Sequence, residues 1–545
     1  MAARRAILPC VGIVLAAATA HAAEYHVDGA AAGGGDGSAE KPWQSLQQGI
    51  DALSAPGDTL VVHAGTYDVV GSLKVSDKHG SETGPITIRA EGEVTLDGND
   101  SASGLWGGLV DVRKSEWIVV KGFRIEDAGF FGVFFESTDH CTAEGNFTNR
   151  TNGSGVASWN SKNLTVRGND VQSCCNKGAM GSGTGCQECI SLDHVDGFLI
   201  EGNLVHDSQQ QGLANWGGGE GIDVKNGSSN GVVRDNEVRN VVQLGIYVDA
   251  WEADISNVEI YGNRVHGNAN GIILTSEQTG GLTNIRVHDN LSYDNGFDGI
   301  GISSYAPANP TFKDIQIFNN TVVHNGYPEN KPYFLPSDQR NATWGRGIAV
   351  AEPDIEGLVI RDNISFANGA DQLTVDSGVP SPTLEHNLVG PTLNGGISGQ
   401  NGIETADVGF ADLAGRDLSL FAGSPAIDAG LGGPNLGLTD FWGNVRLAGS
   451  AVDIGAFEFG SKPPTGSGGA AGSGGSGASA GSGGVPTTGG AGGSAGSNAT
   501  PSGSDDGGCG CRATRSPADD LSLLGLGLLA IWWRRRRTGT AGISS

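Results

Sequence analysis

An all-β solenoid, a single-stranded parallel β-helix, is the fold class predicted for this chain of 545 residues, and three observations predict it. An asparagine returns inside nearly the same short phrase at Asn146, Asn169, Asn203, Asn236, Asn263, Asn290, Asn320, Asn363 and Asn387. The phrase reads x-h-x-x-N-x-h, with h apolar, as in TVRGNDV, VVRDNEV and EIYGNRV; such alternation marks a short strand with one buried face. Successive asparagines lie 23, 34, 33, 27, 27, 30, 43 and 24 residues apart, spacing that suits a coil with a fixed core and variable loops rather than a helical array. A second alternating segment follows most of them and opens on a small residue: CISLD from Cys189, GIDVK from Gly221, GIYVD from Gly245, GIILT from Gly271. Third, 91 glycines and only 17% charged residues disfavour helix. Two or three short strands per turn, each pairing with its equivalent about 4.8 Å away in the next turn, build such a solenoid, with the asparagines stacked in a column inside one corner.

The elements follow in chain order. Residues 1–22 carry Arg4 and Arg5, an apolar run from Ala6 to Ala20 and the sequence Ala20-His21-Ala22, the pattern of a cleavable secretory signal. Residues 23–100 are expected to form an N-terminal cap and the first turns, 101–410 the repeats, and 411–460 a closing segment. Residues 461–508 are almost wholly Gly, Ser, Ala, Thr and Pro, a disordered tether by composition. Residues 509–537 hold Cys509-Gly510-Cys511, an apolar run from Leu521 to Trp533 and Arg534 to Arg537, ahead of a tail at 538–545. That run is short for a transmembrane helix of about 20 residues, and the arginines would keep their end cytoplasmic. Cys174, Cys175, Cys186 and Cys189 fall within one loop. Zinc is one reading of their spacing; in an oxidising compartment, two disulfides are the expectation.

Three stretches resemble known families. Cys-Gly-Cys with a short hydrophobic helix and an arginine cluster is similar to the C-terminal sorting domain of myxobacterial surface proteins, which implies export and sorting machinery as partners and attachment at the cell surface or outer membrane. YHVDG from Tyr25 through LVVHAGTYD, followed by GPITIRAEGEVTLDG, resembles the opening of secreted right-handed β-helix proteins, pectate-lyase-like enzymes among them. The resemblance implies a right-handed coil whose open end is capped by a short helix, here Trp43 to Leu53. DLSLFAGSPAIDAG, TDFWGNVR and VDIGAFE resemble the segment that closes many bacterial surface β-helices; Asp428, Asp440, Arg446, Asp453 and Glu458 within it read as a structural polar network.

Aligning the second segments by their first residue places the third and fifth positions on the outer face. The third-position column includes Ser191, Asp223 and Tyr247, and the fifth Asp193, Lys225 and Asp249, with Glu188 and Glu220 just before the strands. With turns stacked at about 4.8 Å, these side chains become neighbours along the axis. Trp251 ends the patch, and the loops beside it carry Trp216 and Trp344; aromatic rings beside carboxylates suit sugar stacking. Carboxylates in this density suit Ca²⁺, with Asp193, Asp223, Asp249 and Glu220 as ligands.

A net charge of -27 argues against nucleic acid as a partner and leaves room for cations. EGIDVKNGSSN resembles the Glu...Lys...Asn turn of alginate and chondroitin lyases at Glu220, Lys225 and Asn230; those enzymes use an arginine in the following turn, where this chain has Asp249. The reading is a monomeric surface or secreted protein acting on a polysaccharide. It is a lyase on an acidic glycan, with Lys225, Asp223, Asp249 and Asp193 as catalytic candidates and Tyr247, Trp251, Trp216 and Trp344 as substrate contacts. A non-catalytic glycan binder or adhesin, and an inverting glycoside hydrolase using two of the aspartates, are the alternatives.

Overall fold

The computed structural model describes residues 22–463 apart from 101–106, 177–187, 209–217, 306–309, 332–340, 342–344, 392–396, 433–436 and 438. The expected secretory signal through residue 21, the expected tether from residue 464 and the expected C-terminal sorting segment lie outside the described residues. Among the described residues no helix is long and apolar enough to cross a membrane.

Each turn of the solenoid has three strands. One full turn runs Asp196–Glu201, Leu204–His206 and Ile222–Lys225; the next runs Ser229–Arg234, Glu237–Arg239 and Leu244–Asp249. Every strand pairs in parallel with its counterpart one turn on. The asparagine phrase therefore spans two strands, with the asparagine at the corner between them. The third strands form a sheet of their own, eleven deep among the described residues, from Leu73–Ser76 to Leu373–Val375.

Alternation fixes which face is buried. Ile190, Leu192, Ile222, Val224, Ile246 and Val248 point inward and are at most 1% exposed, so each contributes roughly 1.5–3 kcal/mol by leaving water. The small residue that opens each third strand is enforced by packing: a Cβ on Gly221 would stand 2.5 Å from the Gly245 carbonyl oxygen, and one on Gly245 2.3 Å from Val265 Cγ1.

The asparagine column is continuous from Asn146 to Asn387. Asn263 shows the pattern: its backbone N–H and its Nδ2 both donate to Asn290 Oδ1 at 3.0 Å, and Nδ2 also donates to the Val233 carbonyl. A second column, not foreseen, runs through Asn268, Asn295, Asn325, Asn368 and Gln372 in the next corner. Four of its members sit five residues after a member of the first. Buried polar groups of this kind are expensive when unpaired. Asn290→Ala strips the acceptor from two donors of Asn263 and the donor from the Ile260 carbonyl, so it is expected to destabilise the solenoid by about 4 kcal/mol, read as a lower urea midpoint.

The predicted N-terminal helix is present but shorter, Leu46–Ala52, capped by Ser45 and seated through Leu46 and Ile50. Trp43 precedes it and stacks on Tyr25. The C-terminal segment does more than close an end. It runs back along the flank of the solenoid as a strap, where Val408, Leu418, Ile454 and Phe457 share a second core with Leu291, Val323, Ile364 and Leu388. Arg416 reaches Asp294, and Arg446 reaches Asp289. Asp428, Asp440, Arg446, Asp453 and Glu458 hold the strap together and to the flank.

Of the four loop cysteines, Cys174 and Cys189 are joined as a disulfide. Cys175 Sγ lies 3.5 Å from Cys174 Sγ, and Cys186 lies outside the described residues. Cys141 is buried in the core, which pushes its thiol up to about 12 and leaves it inert.

Candidate active site

The outer face of the third-strand sheet carries the charged patch in the predicted register. Ser191 pairs with Asp223 and Asp223 with Tyr247; Asp193 pairs with Lys225 and Lys225 with Asp249. Toward the N-terminus the same face is apolar, with Trp159 set edge-on against Phe131 and Phe134. Toward the C-terminus it continues with Ile273 and Thr275.

Lys225 organises the patch. Its ammonium lies 2.5 Å from Glu188 Oε1 and 3.2 Å from Asp223 Oδ2. The Lys225 side chain is 20% exposed, while those of Glu188 and Asp223 are 3% and 2% exposed, so lysine is the member that opens to solvent. Glu188 is fixed from its other side by Ser191 Oγ, which donates to Oε2 at 2.6 Å. Glu188 adjoins the disulfide-bonded Cys189, whose backbone N–H donates to the Glu220 carbonyl.

Around this pair the carboxyls are crowded and short of partners. Glu220, Asp223 and Asp249 are 9%, 1% and 3% exposed, and Glu220 Oε2, Asp223 Oδ1 and Asp249 Oδ1 are buried without a hydrogen bond from any described residue. Burial, reinforced by Glu188 and Asp223, holds the Glu220 carboxyl well above the usual range. Burial does the same to Asp223 against the pull of Lys225, and to Asp249 with help from Glu277 and Asp223. Burial alone would lower Lys225, but Glu188, Asp223 and Asp249 win and keep its ammonium well above the ordinary value.

One member was missed from the sequence. Glu277 enters from the loop after the strand Asn270–Ser276 and accepts a 2.6 Å hydrogen bond from the Tyr247 hydroxyl. Burial, Asp249 and Glu277 raise the Tyr247 phenol, so it stays protonated. The signal was available, because Glu277 is the seventh residue of GIILTSE, one alternation beyond the positions aligned. Trp251, half-buried, supports that loop from its carbonyl, which accepts the amides of Thr279 and Gly280.

Asp193 stands apart. Its side chain is 31% exposed and engages His194 Nδ1 and Asn226 Nδ2, while the Lys225 ammonium turns to Glu188 and Asp223 instead. Asn230 is exposed on the strand Ser229–Arg234 of the other sheet, paired with Asp196 and Asn257. Trp216 and Trp344 lie outside the described residues.

A hard divalent cation fits the donor chemistry, which is all oxygen with three orphaned atoms and five carboxyls against one lysine. The carboxylates are not closed around one point: among the described residues the only trio of candidate ligand atoms mutually within 4.8 Å is Cys174, Cys175 and Cys189. Glu220, Asp223 and Asp249 would have to rotate inward to share an ion.

A family profile described as a right-handed β-helix region matches residues 69–187 and 110–292. The fold is a right-handed parallel β-helix. Two solved structures share it over most of their length. The pectate lyase Pel9A is 18% identical with a TM-score of 0.50, over 80% of this chain and 96% of that one. XylC, solved with xylose, is 12% identical with a TM-score of 0.51, over 80% and 99%. At these identities the likeness is one of fold. No curated protein sequence matches the chain.

Proposed function

We propose that this β-helix is an exported, surface-displayed enzyme that cleaves an acidic polysaccharide by β-elimination, with Lys225 as the residue that meets the uronate. The observation that carries the reading is one lysine, its side chain a fifth exposed and its ammonium paired with Glu188 and Asp223, set among buried, under-partnered carboxyls on the outer face of a solenoid sheet. Fold likeness to Pel9A is consistent with it, and the N- and C-terminal sequence patterns support export and surface attachment.

Elimination requires the uronate carboxylate to be held and its charge compensated, the C5 proton to be taken as the C4–O4 bond breaks and the C4=C5 double bond forms, and the departing O4 to receive a proton from solvent or a protonated side chain. Protonated, Lys225 holds the carboxylate; neutral, its amine takes the proton. Its salt bridges favour the first state, so the compensation of Glu188 and Asp223 decides whether it performs the second. Glu220, Asp223 and Asp249 are the residues that would hold Ca²⁺, which when bound supplies positive charge against the carboxylates of site and substrate. Tyr247 is buried with its hydroxyl given to Glu277, so it braces the cluster, while the half-buried Trp251 is the ring at its border that a sugar would meet.

Incubation with uronate polymers tests the reading. Unsaturated product should absorb in the ultraviolet as chains shorten. New reducing ends without that absorbance would instead indicate hydrolysis, the reading in which two of the cluster's carboxyls serve as acid and base. Glycan binding with neither product would make the protein an adhesin.

A further inference from the structure

The strap at residues 408–463 is fastened to the solenoid flank by a buried ionic clasp with too many acids. Arg446, 3% exposed, pairs with Asp289 of the solenoid and Glu458 of the strap, and it also donates to the Gly455 carbonyl at 2.9 Å. Asp289 uses its other oxygen on His288 Nδ1 at 2.7 Å, and His288 Nε2 reaches Glu259 at 3.0 Å. Asp453 accepts the amides of Asp428 and Phe459, and Asp440 accepts that of Glu458. On the solenoid side Asp362 accepts the Leu431 amide with one oxygen and keeps the other buried without a partner. Arg361 and Arg446 are the positive groups around it.

We infer that the strap is a pH-dependent latch, closed on the solenoid in mildly acidic solution and loosened as the pH rises, because Asp289, Asp362, Asp453 and Glu458 are buried together at its junction around Arg446, which pairs with two of them while one Asp362 oxygen stays without a partner. Burial outweighs Arg446 and pushes Glu458 up to about 7, and burial pushes Asp362 up to about 6. Burial also raises Asp453. His288 is raised as well: burial would lower it, but Asp289 and Glu259 prevail. Groups with raised folded-state values stabilise the closed strap below their unfolded values, and that stability is lost as the pH climbs through the folded ones. For Glu458 and Asp362 the window runs from about pH 4 to about pH 7. Glu259 and Asp294, held low by His288 and His324 respectively, are already ionised across most of this window and do not oppose it. Since residues 461–508 form a Gly/Ser-rich tether by sequence, opening would add the strap to it.

Hydrogen exchange of the full-length protein tests the latch. The Gly455 amide donates to the Asp362 carbonyl and the Ala456 amide to Thr321 Oγ1, both across the junction. After correction for intrinsic rates, their protection is expected to fall at least tenfold between about pH 5.5 and about pH 8.5, while that of Asn263 and Asn290 in the solenoid stays level. Glu458→Gln, which cannot ionise, should flatten most of the fall, with Asp362→Asn as the second variant if the first does not fold. Equal protection at both pH values, an equal fall in the solenoid amides, or an undiminished fall in the foldable variant would overturn the inference.

Discussion

Lys225→Ala is expected to abolish elimination of uronate polymers, with a loss of about 10³-fold in the initial rate of unsaturated-product formation. The side chain is the most exposed member of its ion-paired trio with Glu188 and Asp223, and nothing else among the described residues pairs with Glu188 or Asp223 as a cation. The same change leaves two buried carboxyls without their counter-charge, which costs about 3–5 kcal/mol if they stay ionised and less if they take up protons. Melting curves must therefore accompany the assay. Lys225→Arg separates the two roles. A guanidinium keeps the charge and stays protonated, so a variant that still binds oligouronate but turns over at the alanine level identifies lysine as the base. A variant that keeps a tenth or more of the rate identifies it as the carboxylate pin. If alanine is as active as the wild type, the cluster is not the active site.

The register of this cluster was legible because it depends on a period of two and on a repeat, both of which are written in the chain. Asp223, Lys225, Tyr247 and Asp249 stand where alternation puts them. Side-chain direction was less legible. Asp193 belongs to the same column, yet its carboxylate is drawn to the adjacent His194 and to Asn226, a competition between local partners that spacing does not rank. Glu277 lay just beyond the strand length assumed. The strap was recognised as a closing segment but not placed, since its contacts join residues 122 and 157 positions apart, Arg416 with Asp294 and Arg446 with Asp289, and no local pattern encodes such pairs. The second asparagine column could have been read from NRVHGN, NLSYDN, NTVVHN and NISFAN, where the second asparagine keeps a fixed distance from the first.

At about pH 8, millimolar Ca²⁺ is expected to raise the melting temperature of the protein over that in EDTA, and to raise it much less at about pH 5.5. Glu220, Asp223 and Asp249 all have raised folded-state values, so their favourable contribution is present in acid and disappears as the pH climbs and the crowded carboxyls ionise. Lys225, shifted upward as well, stays charged throughout this range and offsets only part of that repulsion. Two remedies remain, a proton or a cation, and they compete for the same oxygens. A ligand bound only by the folded state stabilises it by about 2.7 kcal/mol at a hundred times its dissociation constant, which in an assembly of this size is a shift of a few degrees. Asp223→Asn removes an ionising oxygen from the centre of the group and should lose most of the Ca²⁺ effect while gaining stability in EDTA at the higher pH. Identical curves with Ca²⁺ and EDTA at both pH values would mean that protons alone settle the charge of the cluster, and Lys225 would then act on substrate without a metal beside it.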